Sequence, residues 1–130
     1  MVNTEKQKIN AFTDLIAWQE SHKLVLMTYE VTKQFPREEM FGLIMQLRRA
    51  AVSITSNIAE GFSRQSYKDK VNFYSIALGS LTELQNQILV AKDVSYLPID
   101  EYRQVSDQAV IASKLINGLI KSSKAIIHNS

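Results

Sequence analysis

Between Tyr102 and Ile126, apolar or small residues recur at alternating spacings of three and four: Tyr102, Val105, Ala109, Ala112, Ile116, Leu119, Ser123 and Ile126. This spacing returns to one side of a 3.6-residue helix and to neither face of a strand. The segment can therefore bury a surface only as an amphipathic helix. Such a helix needs partners of the same kind to cover its apolar stripe.

Three earlier segments supply them. Leu15, Trp18, His22, Val25, Tyr29 and Thr32 form one row, and Met40, Ile44, Leu47, Ala51, Ile54 and Ile58 form a second. The third segment is broader. Tyr67, Val71, Tyr74, Leu78 and Leu81 make one row, and Phe73, Ala77, Leu84, Ile88 and Ala91 the adjacent one. It should be the most buried of the four. Thr13 or Asp14 can cap the first helix, Ser66 with Asp69 the third and Asp100 the fourth. Phe35-Pro36 and Leu97-Pro98 break the pattern, and Gly61 suits a left-handed helix stop. Glu38 and Glu39 fit the positive end of a helix dipole. Gly79 inside the third segment predicts a close backbone approach or a kink. Only 4 Gly and 2 Pro occur, too little punctuation for a many-stranded protein. The expected fold is all-α, an antiparallel up-and-down four-helix bundle. Residues 1–12 read as a polar tail, and 13–128 as a single domain.

The residue inventory argues against catalysis. With no Cys there are no disulfides, thiolate zinc sites or Cys nucleophiles, and the chain suits a reducing cytoplasm. The 2 histidines are His22, inside an apolar row, and His128, near the chain's end. Neither has a Glu three residues before it, as a helical carboxylate metal site would need. There is no Gly-rich phosphate loop and no Gly-x-Ser-x-Gly elbow. Neither an enzymatic activity, a metal nor a cofactor is expected. Met1 to Asn10 lacks the apolar core of a signal peptide. No apolar run reaches the ~20 residues of a membrane span.

Three groups stand apart from the core pattern. Gln46, Ser53, Asn57 and Glu60 line the back of the second helix, where Ser and Asn are weak helix formers. They read either as neutral surface or as a packed polar seam, between subunits or around a ligand. Arg48, Arg49, Arg64 and Lys68 form a basic cluster: ordinary surface cations, or a phosphate-binding patch. Arg48 borders the apolar face and suits an intramolecular pair with Glu83 or another carboxylate. Leu24, Met27 and Val31 lie opposite the first helix's chosen row and predict an oligomer interface.

The stretch Phe12 to Gln19, Phe35-Pro36, Gly42-Leu43, Gln46 to Ala50, Asn57-Ile58-Ala59-Glu60-Gly61 and Gly79-Ser80-Leu81 resembles the four-helix-bundle proteins encoded by intervening sequences in 23S ribosomal RNA genes. The resemblance runs from about Phe12 to Tyr96. Lys70 and Val71 depart from the pattern, where an acidic and an aromatic residue are common. The resemblance implies a non-enzymatic antiparallel bundle that assembles as a homopentamer. It also implies a fold like the accessory proteins of diversity-generating retroelements, which bind nucleic acid and a reverse transcriptase. The expected function is a non-catalytic homo-oligomer that binds nucleic acid, RNA before DNA, through a basic patch repeated around the assembly. The alternative is a protein-interaction scaffold.

Overall fold

A computed structural model describes residues 8–129. The expected polar tail at 1–12 lies partly outside the described residues. Four helices follow one another: α1 (Ile16–Thr32), α2 (Leu43–Ser63), α3 (Tyr67–Asp93) and α4 (Ile99–His128). Short 3-10 turns at Phe12–Asp14 and Arg37–Glu39 precede α1 and α2. No strand occurs among the described residues. Each helix packs on its neighbours in the order α1, α2, α3, α4 and back to α1, with no diagonal pair in contact. The direction is antiparallel. On α2 and α3, Ser53 meets Ser80 while Phe62 meets Lys70, so numbers rise on one helix as they fall on the other. The chain is a four-helix bundle.

The apolar rows of α2, α3 and α4 face the core as their spacing predicts. Leu47, Ile54, Ile58, Leu81, Leu84, Ile116 and Val105 are completely buried. Met40, Tyr67 and Ile126, at the outer ends of their rows, are exposed.

The row chosen for α1 is wrong by a partial turn. The side facing the bundle carries Ala17, Ser21, Leu24, Thr28 and Val31, with Val25 and Thr32 beside them. Leu24 and Val31 are therefore core residues, and Met27 is half-buried against the same core. They do not form a free apolar stripe, which removes the basis for assigning them to an oligomer interface. The cause is chemical. Thr28 hides its hydroxyl by donating to the Leu24 carbonyl at 2.7 Å, and Thr32 does the same to Thr28 at 2.8 Å. A hydroxyl satisfied this way is buried at little cost, so the two threonines can occupy interior positions. The aromatic residues assigned to the core lie at its margin instead. Trp18 and His22 are half-buried and stack at 4.6 Å between centroids, while Tyr29 is exposed.

Turns and caps differ from expectation in detail. Leu15 precedes α1 with no side-chain cap. The Asp14 carboxylate instead accepts the amides of Asn10 and Ala11 at 2.8 and 3.0 Å. Ser66 caps α3 by accepting from the Asp69 amide at 3.1 Å. Pro98, rather than Asp100, is the residue before α4, and Asp100 falls in its first turn. Ser95, at φ 69°, takes the left-handed conformation after α3, and the Tyr96 amide then reaches back to the Ala91 carbonyl at 2.9 Å.

Glu39 ties the entry of α2 to the end of α3. One carboxylate oxygen accepts the Leu43 amide at 3.0 Å and the other accepts the Tyr96 hydroxyl at 3.0 Å. The carboxylate crosses directly over Gly42, where a Cβ would lie 2.7 Å from it. That hydrogen bond to Glu39 raises the Tyr96 pKa above its ordinary value.

Gly61 does not stop α2, which runs on to Ser63 with a helical glycine. Its role is close packing: a Cβ there would meet the Tyr74 ring at 2.7 Å. The carbonyls at this end of α2 find Lys70, which donates to Phe62 at 2.8 Å and to Gly61 at 3.4 Å. Burial lowers the Lys70 pKa. Gly79, by contrast, faces open space and α3 passes through it unbroken.

Candidate nucleic-acid interface

The four cations named from sequence do not form one patch. Arg49 and Arg64 are fifteen residues apart on or just beyond α2, roughly 22 Å along a helix rising 1.5 Å per residue. Two separate cationic regions result, and they differ in how far their charges are already neutralised.

At the far end of α2, the Arg64 guanidinium contacts the Glu60 carboxylate at 2.6 Å and lies over the Phe73 ring at 4.6 Å. Lys68 is exposed beside it. Glu60 thus places a carboxylate against Arg64, at the surface, where an anion would otherwise approach it.

At the near end, residues of α1, α2 and the turn that joins them line a groove of about 960 Å³. Four cations line it: Lys33 and Arg37 from the turn, Arg48 and Arg49 from α2. Among the described residues no Asp or Glu lines it. Arg48 is fixed by donating to the Thr32 hydroxyl at 2.9 Å and by lying over the Tyr29 ring at 4.7 Å. Its anchor is thus on α1, not the Glu83 carboxylate expected from sequence. Arg37 and Arg49 are exposed and have no ion pair or side-chain hydrogen bond among the described residues. Lys33 carries a loose pair with Glu30 at 3.1 Å, both highly exposed, which water screens almost completely. The apolar part of the lining is Tyr29, Phe35, Met40, Ile44, Met45 and Val52.

Lys33, Arg37 and Met45 were not singled out from sequence, and Tyr29 and Met40 were read as core rather than as groove residues. Lys33 and Arg37 sit at a helix end and in a turn, where periodicity does not mark which side chains converge. The proximity of two cations to Phe35-Pro36 was the one available hint.

The polar seam also resolves into parts. Ser53 and Ser80 meet hydroxyl to hydroxyl at 2.8 Å between α2 and α3, and Asn57 donates to the Ser53 carbonyl at 2.8 Å. Ser53, a weak helix former, makes a contact between helices within the subunit, and Asn57 bonds back to its own helix. Glu60 belongs to Arg64, and Gln46 is exposed. Ser53 reaches the rim of the groove, but the four residues do not surround a common space.

Among the described residues no cluster of His, Asp and Glu could hold a metal ion, and no helix is long and apolar enough to cross a membrane.

A family model described as 23S rRNA-intervening sequence protein matches residues 13–118. Among solved structures, the chain is similar to a protein of unknown function from the S23 ribosomal protein family of Bacteroides thetaiotaomicron. The two are 22% identical with a TM-score of 0.73, over 82% of this chain and 99% of that one. At that identity the likeness is one of fold. Comparison with curated proteins finds no match.

Proposed function

The chain belongs to the 23S rRNA-intervening sequence protein family, and from that premise we propose that it is a non-catalytic, cytoplasmic, homo-oligomeric protein that binds nucleic acid, RNA before DNA, through the groove between α1 and α2. The observation that carries this reading is the groove's charge: four cations and no carboxylate in its lining. A concave, partly apolar wall concentrates the field of such charges. Arg37 and Arg49 point no hydrogen-bond donors at a protein partner, so their planar forks are available to phosphate oxygens. Repetition around an assembly would multiply a modest charge per chain.

Self-association rests on a different surface from the one read from sequence. Phe41, at 84% exposed, stands outside the groove between Met40 and Met45. A large aromatic so placed gains free energy when a second copy covers it. The ring of five implied by the resemblance is the proposed assembly. Phe41→Ser should shift sedimentation towards smaller species with helical content unchanged. A monomer at tens of micromolar in the unaltered protein, about where a specific interface should hold, would remove this part of the proposal.

The nucleic-acid reading is tested by titrating RNA binding against salt. Each phosphate contact contributes roughly one unit or less to the slope of log affinity against log salt. Arg37→Ala and Arg49→Ala should each flatten the slope by about that much, with little change in melting. Arg64→Ala should do less, since Glu60 already neutralises that side chain. Arg48→Ala should lower stability more than binding, because it breaks the link to Thr32. An RNA affinity indifferent to salt and to both free arginines would favour the protein-scaffold alternative.

A further inference from the structure

A surface that held only the phosphates of a duplex would need cations and little else. This groove has more. Tyr29 is exposed at its wall with the Arg48 guanidinium carbon over the ring at 4.7 Å from its centroid, so an aromatic and a planar cation already lie together there. Met45 and Val52 continue the surface along α2, both substantially exposed. A base pair within a duplex has its faces covered by its neighbours and offers no plane to such a wall. An unpaired base has two free faces and loses unfavourable contact with water when it stacks.

We infer that the groove takes an unpaired stretch of nucleic acid, its bases laid on the Tyr29–Arg48 pair and along Met45 and Val52, its phosphates on Arg37 and Arg49. This rests on the nucleic-acid reading above and narrows it to single strands, loops or bulges. The geometry fits on length. From Ile44 to Ser56 the lining spans roughly 18 Å of helix, room for about four nucleotides, the lower end of single-strand sites. It fits on charge, because every ionised group in the lining is a cation. It also fits on specificity. Thr32 and Ser53 are already engaged in hydrogen bonds within the subunit, so few groups remain to read base edges. The contact is therefore tolerant of sequence.

The experiment uses the full chain and one labelled RNA in two forms, single-stranded and annealed to its complement. A second copy of the single strand carries 2-aminopurine. The single strand should bind about tenfold or more tightly than the duplex, the scale of a lost base–aromatic stack. The 2-aminopurine emission should change on binding. Tyr29→Ala should weaken single-strand binding by about tenfold while leaving the salt slope intact, which separates stacking from phosphate contact. Val52→Ser is a second probe on a side chain outside the core, and circular dichroism verifies that both variants fold. Equal affinity for the two RNA forms, with Tyr29→Ala neutral, would overturn this inference and leave the nucleic-acid reading standing. Binding to neither form would overturn both and direct the groove towards an acidic protein segment.

Discussion

Leu24→Ala is expected to lower the free energy of unfolding by about 2–5 kcal/mol, the range for a leucine truncated in a close-packed core. Leu24 is completely buried in the single chain, between the buried rows of the neighbouring helices. The loss combines the transfer free energy of the removed methyl groups with the cavity left behind. In a chain of this size it should lower the melting temperature by roughly 6–25 °C. The experiment also settles how the residue acts. A core residue costs the same at every protein concentration, whereas an interface residue costs stability that more protein restores. Leu26→Ala is the matched control, since Leu26 is largely exposed. Denaturant melts of both variants at two widely separated concentrations are the measurement. A near-neutral Leu24→Ala would mean that α1 is turned the other way in the folded protein.

Gly61→Ala should be destabilising even though alanine favours a helix by about 1 kcal/mol over glycine. The new methyl carbon would lie 2.7 and 2.9 Å from two atoms of the Tyr74 ring and 3.1 Å from the Phe73 Cβ. Tyr74 is itself buried and cannot swing aside without opening the core. Overpacking of this kind costs about 1–3 kcal/mol, which exceeds the propensity gain through most of that range. Gly79→Ala supplies the contrast. There the methyl carbon meets nothing within 4 Å, so the substitution should raise stability by up to about 1 kcal/mol. Two glycines in two adjacent helices thus have opposite expected signs. The Gly61 effect should shrink in a Tyr74→Leu background, a coupling that a double-mutant cycle reads directly. A stabilising Gly61→Ala would show that α2 and α3 are farther apart at this level.

What the residues determined by themselves was the number of helices, their approximate limits and the buried faces of three of them. The cause is physical. A repeat sustained over six turns in α4 has one helical solution, and Ser66 can cap α3 using only its own neighbours. Exclusion of familiar catalytic motifs was equally local, since a missing cysteine or Glu-x-x-His pair is missing in any fold. What the tertiary structure decided was everything that depends on side chains distant in sequence. The α1 row was misread because a threonine buried with its hydroxyl on a backbone carbonyl looks polar until its partner is known. Gly61 looked like a stop because Tyr74, which needs its space, is on another helix. The basic cluster divided because charge in a sequence carries no record of which cations are neutralised. Glu60 lies one turn from Arg64 and pairs with it; Thr32 and Tyr29 lie on another helix and hold Arg48. Arg37 and Arg49 have no ion pair among the described residues, where no carboxylate lines the groove they share.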